Sequence, residues 1–260
     1  MTTRTALVAC TILLASVSTM LAQSAVPDFS GVYRPVNAFG APPPGARAGG
    51  PPPPAPGQPL PPPARTAPLS DGSRGRAPNA PKLTPEYMAK WQAISKARVA
   101  GSSDSDNTLK CLPPGMPAMM NMAYGMEVMQ TRDKITFFSE LNDALRRVYL
   151  DGRTPSQVVL DDPTYAGYST GHWEGDTLVV ETVALNDKSY IEGFTPHSGQ
   201  MTVKERIRFL PNGLLEDRIT VTDPAALTEP WETVKAYRKA EKGDDQLREF
   251  ACAEGMDHAK

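Results

Sequence analysis

Histidine is scarce in this chain, with three among 260 residues, and none of the spacings H-x-H, H-E-x-x-H or C-x-x-C occurs. Such spacings bring several donors onto one ion, so no metal is expected at His172 or His197, and His258 falls in a polar tail, 255–260, read as disordered. Basic charge is not in excess: 27 Lys and Arg stand against 29 Asp and Glu, for a net charge of -2. A polyanion binder needs a concentrated basic face to displace counterions, which argues against nucleic acid as a partner. Beyond residue 24 no stretch approaches the ~20 apolar residues that a membrane-spanning helix requires. No helix follows a strand where a nucleophile elbow or phosphate loop would sit, so a doubly wound sheet has no support and no cofactor is expected.

What is present begins with an export leader. Arg4 supplies the positive start, residues 6–21 are almost wholly apolar or small, and Ala22-Gln23-Ser24 offers a cleavage site, so 1–24 is read as a signal peptide. An anchor is the competing reading, but the apolar run is short and rich in Ser and Thr. Leu7-Val8-Ala9-Cys10 imitates a lipoprotein box, yet the apolar core follows Cys10 instead of preceding it. The mature chain is expected to be periplasmic or secreted, with no membrane association after cleavage. Of the three cysteines, Cys111 and Cys252 then remain in a compartment that permits disulfides. They are predicted to be bonded, the rival reading being two separately buried thiols.

Thirteen of the 27 prolines fall between Pro42 and Pro68, with few large apolar side chains among them. That composition buries too little to fold, so 41–81 is read as an extended, solvated insert. The segment 25–40, carrying Phe29, Val32 and Tyr33, must reach across it to join the main domain at 82–254. There Thr84, Pro85 and Glu86 suit a helix start, and Tyr87, Trp91 and Ile94 recur at helical spacing with Met88 beside them, up to Gly101. From about Met126 the period changes to two. Candidate strands are 127–131, 134–140, 145–151, 157–160, 167–173, 177–185, 201–210, 214–222, 231–239 and 246–252. The fold expected is mainly β, an antiparallel lipocalin-like (calycin-type) barrel, or a sandwich, with one N-terminal amphipathic helix.

Two hairpins define faces. A three-residue turn at Pro211-Asn212-Gly213, with Gly213 left-handed, pairs Phe209 with Leu215 and Val203 with Val221, whereas a two-residue loop spoils the match. That register sets Glu205 and Asp217 on the face of Val203, Ile207, Phe209, Ile219 and Val221, pointing inward. A turn at Gly175-Asp176 opposes Trp173 to Leu178 and His172 to Val179, and groups Tyr168, His172 and Glu181 on one face. Both faces of this second hairpin carry apolar residues, so pattern alone leaves its interior side open.

Several stretches resemble an uncharacterised family of secreted bacterial proteins, mostly described as hypothetical. They are Asp28-Phe29-Ser30-Gly31-Val32-Tyr33, Leu83-Thr84-Pro85-Glu86-Tyr87, the C-x-P-x-G-M element from Cys111 to Met116, Asp151-Gly152-Arg153, the block G-H-W-E-G-D-T-L-V-V-E-T at 171–182, Pro196-His197-Ser198 and Cys252-Ala253-Glu254. The likeness covers most of the chain outside the leader and the insert, and the W-E-G-D-T-L-V-V-E-T block is quite specific. Tyr33 stands where Trp is more usual, and the insert is unusually long. The resemblance implies a lipocalin-like barrel and assigns no reaction.

An inward Glu205 or Asp217 costs several kcal/mol unless it is paired, protonated or met by a ligand. Internal pairing, with Arg147 as a candidate on the face of Leu145 and Tyr149, stands against a functional cavity in which His197, Glu205 and Asp217 transfer protons. Ser198 beside His197 suggests a Ser–His couple, but adjacent residues of an extended segment face opposite ways. Met116, Met119, Met120, Met122, Met126 and Met129 cluster after Cys111, which suits either copper(I) or gap-filling over a core, the latter favoured by Pro113, Pro114 and Pro117. The leading functional expectation is a binding protein holding a partly apolar small-molecule ligand among Tyr168, His172, Glu205 and Asp217. A cofactor-independent hydrolase, lyase or isomerase in the same cavity is the alternative, and copper handling a third.

Overall fold

The computed structural model describes residues 26–36, 76–77, 79–121, 124–250 and 252. The expected leader at 1–24, most of the proline-rich insert, the tail at 255–260 and Met122 lie outside the described residues.

Nine strands close into a barrel in sequence order: β1 Gly31–Pro35, β2 Met126–Gln130, β3 Lys134–Ser139, β4 Ala144–Tyr149, β5 Tyr168–Glu174, β6 Thr177–Val183, β7 Thr202–Phe209, β8 Leu215–Thr222 and β9 Trp231–Lys239. Alternation is the cause. In β7, Val203, Glu205 and Ile207 are buried while Thr202, Lys204, Arg206 and Arg208 are exposed, so one edge-on face of the strand meets the interior. The β7–β8 turn is the three-residue form: the Leu210 amide donates to the Leu214 carbonyl at 2.8 Å, and Gly213 takes a φ of 81°. Phe209 pairs with Leu215 and Val203 with Val221. In the β5–β6 hairpin Trp173 pairs with Leu178 and His172 with Val179. β1 slots between β2 and β9, Tyr33 pairing with Met126 on one side and Lys239 on the other, so the segment ahead of the insert is what closes the wall.

Three expectations are corrected. The barrel is not wholly antiparallel, because β4 and β5 run parallel through Val148–Ser169 and Tyr149–Thr170. Residues 150–167 carry the chain back to the end from which β4 started, as a parallel neighbour requires. Within that return the expected strand at 157–160 is a single helical turn, Gln157–Asp161, with Val158 77% and Leu160 42% exposed. Gln157-Val158-Val159-Leu160 has no period-two alternation, so no face of it could have joined a wall. Residues 246–250 form no strand, since β9 already pairs with β1 and the closed sheet offers no edge.

The two ends are covered differently. Near the hairpin tips Phe29, fully buried, sits 5.2 Å from Trp173 and 5.1 Å from Phe209, ring to ring. Burial of such a ring stabilises by about 1.5–3 kcal/mol. The opposite end lies under helix α1 (Pro85–Val99), the methionine segment and the loop 184–201. Helix α1 buries Tyr87, Trp91 and Ser95, with Ile94 only half-buried, and the Thr84 hydroxyl donates to the Ala225 carbonyl at 3.0 Å instead of capping the helix. The methionine segment is pinned across loops of that end: the Met116 amide donates to the Tyr165 carbonyl at 2.9 Å, Asn142 Nδ2 to the Leu112 carbonyl at 2.6 Å, and Asn121 Nδ2 to Glu192 Oε1 at 3.2 Å. Cys111 and Cys252 are bonded across 141 residues, tying this segment to the C-terminal stretch.

Candidate functional site

Halfway along the barrel the inward positions carry charge. In β4, Ala144, Arg146 and Val148 are buried while Leu145 and Arg147 are exposed, so the interior partner of Glu205 is Arg146 and not Arg147. The large side chains Leu145 and Tyr149 suggested the wrong face of this strand. Arg146, 1% exposed, grips Glu205 with both terminal nitrogens: Nη1 donates to Oε1 at 2.8 Å and Nη2 to Oε2. Its Nε donates to Ser169 Oγ at 3.1 Å and Nη2 also to Thr182 Oγ1 at 2.9 Å, and the two hydroxyls bond each other at 2.8 Å. A bidentate fork with its remaining donors satisfied is the form in which a buried guanidinium–carboxylate pair is tolerated. Gly167-Tyr168-Ser169-Thr170-Gly171 spells the nucleophile-elbow pattern G-x-S-x-G, but here it enters a strand, and its serine serves Arg146.

Asp217 is left out of that arrangement. It is wholly buried, and among the described residues neither of its carboxylate oxygens meets a donor. Burial, and next the neighbouring Glu205 carboxylate through its charge and as a hydrogen-bond partner of the protonated acid, push its pKa well above the ordinary carboxylate value, against the opposing pull of Arg146 and Lys235. Directly across the β8–β9 ladder stands Lys235, also inward and 6% exposed. Its ammonium reaches towards Glu192 at 3.9 Å, and burial lowers its pKa while Glu192 and Asp217 oppose that shift. A phenol adjoins this layer: Tyr237 donates to the Met120 carbonyl, and burial, with the charges of Asp217 and Glu205, raises its pKa. Tyr33, whose hydroxyl has no partner among the described residues, is pushed up to about 12 by burial.

His197 belongs elsewhere. It is buried in the loop between β6 and β7, its Nε2 2.9 Å from Ser189 Oγ and its Nδ1 3.0 Å from the Ser198 carbonyl. A carbonyl only accepts, so Nδ1 carries the proton and Nε2 accepts from the Ser189 hydroxyl. Burial lowers its pKa; Asp223 and Asp187 are the charges that oppose this, and neither Glu205 nor Asp217 is among them. The expected gathering of His197 with the two acids is therefore corrected. Ser198 turns away from the ring, its amide and hydroxyl donating to Asp223 at 2.6 and 2.7 Å. Tyr168 and His172 are corrected as interior residues: the inward side of β5 is Ser169, Gly171 and Trp173. His172 stands outside, its side chain 64% exposed and 3.4 Å from Glu174, and Tyr168 packs on Tyr149 at 5.2 Å between ring centres. Glu181 of the same outer face bonds Lys204 at 3.2 Å.

Met116, Met119, Met120 and Met126 are buried in the core cluster, while Met129 points outward on β2. Among the described residues no group of three or more His, Cys, Asp and Glu side chains gathers where an ion could be held. Two surface hollows, of about 280 and 330 Å³, are lined by Arg34, Tyr124 and Arg248 and by Asn79, Lys82 and Trp231, with no member of the charged layer among them.

Arg146, Lys235, Ser169 and Thr182 are the layer residues that sequence reading misses. Lys235 had a signal, since it alternates in step with Trp231 and Tyr237. Arg146 had a weaker one, sharing parity with Ala144 and Val148.

No family model matches the chain, and no curated protein matches it. Among solved structures, the wild-type fluorescent protein UnaG is similar at 16% identity over 52% of this chain and 87% of that one, with a TM-score of 0.29. A mutant of UnaG is similar at 18% identity over 52% of this chain and 86% of its own, with the same TM-score of 0.29. Similarity of this degree assigns neither ligand nor activity to the present barrel.

Proposed function

We propose that this protein is an exported small-molecule-binding barrel whose ligand presents a hydrogen-bond-donating head group to Asp217 and an apolar body to the inward aliphatic side chains. One observation carries the reading: in an interior where Arg146 and Glu205 satisfy each other, neither carboxyl oxygen of buried Asp217 meets a donor among the described residues. Such a group costs ~1–3 kcal/mol or more, a cost that a ligand donor would remove. The inward side chains of Leu178, Val180, Ile207, Leu215 and Ile219 offer the apolar lining. The proton-transfer alternative needs His197 beside Glu205 and Asp217, whereas His197 bonds Ser189 in the loop between β6 and β7.

Native mass spectrometry of the exported protein tests this. The expected result is a non-covalent ligand retained by the wild type and absent from Asp217→Leu, with unchanged circular dichroism for both. An identical ligand load in the two proteins, or no load in either after growth in the native medium, overturns the reading. N-terminal sequencing of the mature chain tests export, with a start near Ala25 expected.

A further inference from the structure

Lys235 and Asp217 are Cα partners in the β8–β9 ladder and both point inward. Directly opposed residues of an antiparallel pair hold their Cβ atoms about 4.5–5.5 Å apart, close enough for an amine and a carboxylate to bond. They do not. The Lys235 ammonium is drawn to Glu192 at 3.9 Å, beyond hydrogen-bond range, and among the described residues both Asp217 oxygens remain without a donor. A buried acid with no donor among the described residues and, across one rung, a lysine whose ammonium lies 3.9 Å from its nearest carboxylate oxygen form a site open to a group that engages both.

We propose that Lys235 captures an apolar aldehyde as an iminium, with Asp217 as its acid and then its counterion. The proposal rests on the interior-binding reading above. The Lys235 Nζ lone pair attacks the carbonyl carbon, a C–N bond forms, and the carbonyl oxygen takes up a proton. In the resulting carbinolamine the C–O bond breaks and the oxygen leaves as water. Across the sequence the amine and the acid together supply three hydrogens; two depart in the water and one stays on the iminium nitrogen. The products are a protonated C=N bond on Lys235, ionised Asp217 and one water, so no oxidant or reductant is required. Burial supports both halves of the pair, since it favours the neutral amine, which is the nucleophile, and the protonated acid, which is the donor. In the adduct the iminium N–H lies opposite the orphaned carboxylate and gives it the donor it lacks in the free protein.

Cinnamaldehyde is a suitable probe, because a conjugated iminium absorbs at longer wavelength than the aldehyde. The full chain is incubated with it, reduced with cyanoborohydride and mapped by peptide mass spectrometry. The expected result is a saturable adduct on Lys235 at one per chain, against slow, unsaturable labelling of exposed lysines such as Lys82 and Lys204. Lys235→Met abolishes the saturable adduct, and Asp217→Asn, which retains the amine, slows its formation by about a hundredfold, the range of a lost general acid. Lys235 labelling at the rate of Lys82, or a saturable adduct surviving Lys235→Met, overturns the proposal. Cinnamyl alcohol separates the two readings: if it binds in the interior while the aldehyde forms no adduct, covalent capture alone fails, and if neither binds, interior binding fails with it.

Discussion

Asp217 and Glu205 differ by a single neighbour. Glu205 receives the fork of Arg146, whereas Asp217 receives no donor among the described residues and is driven towards its neutral form. A carboxyl group whose folded pKa is raised binds its proton more tightly in the folded state, so the associated stability is full below its unfolded value of 3.8 and is lost as pH rises through the folded value. Asp217→Asn mimics the protonated acid and does not titrate. Its unfolding free energy is expected to match the wild type near pH 3.5 and to exceed it increasingly above, by up to about 1.4 kcal/mol per pH unit within that window, read from urea unfolding across pH; a difference independent of pH would contradict the assignment. For the Arg146–Glu205 pair, removing one member strands the other. Glu205→Gln is expected to cost about 3–5 kcal/mol in urea unfolding, while replacing both Arg146 and Glu205 by Met recovers most of that loss.

At the scale of the element, backbone requirements separate from packing. Gly213 closes the β7–β8 turn at a φ of 81°, and a Cβ built there meets no atom within 4 Å. Gly213→Ala therefore isolates the left-handed backbone cost, about 1–2 kcal/mol, seen as a lower urea midpoint at unchanged slope. Gly167 also has a positive φ, of 64°, but its Cβ would come within 2.6 Å of the Val183 carbonyl oxygen, so Gly167→Ala is expected to cost more by the same measurement. Of the elements, β7 and β8 were legible down to the register because one side is apolar and the turn chemistry admits one solution. The second hairpin was legible in register but not in facing, since Trp173, Leu178 and Val180 on one side are answered by Val179 and Val183 on the other. Residues 157–160 misled because a short apolar run without alternation does not distinguish a strand from a helical turn.

For the whole molecule, closure depends on long-range ties. β1 joins β2 and β9 from the far side of the proline-rich stretch, and Cys111–Cys252 spans 141 residues. Substituting both cysteines by Ser is expected to lower stability by about 2–4 kcal/mol, the lost constraint acting on the unfolded chain, with the barrel's circular dichroism retained. The sequence by itself determined the β-rich class, eight of the nine strands, the turn of β7–β8 and the inward aim of Glu205 and Asp217, because a period of two decides on which side of a strand each residue lies. Only the tertiary structure decided that Arg146 meets Glu205, that Lys235 faces Asp217 without bonding it, and that His197 is spent on Ser189. Which side chains meet across an interior depends on strand order, stagger and the parallel β4–β5 step, and those follow from the closure of the sheet and not from the alternation within any one strand.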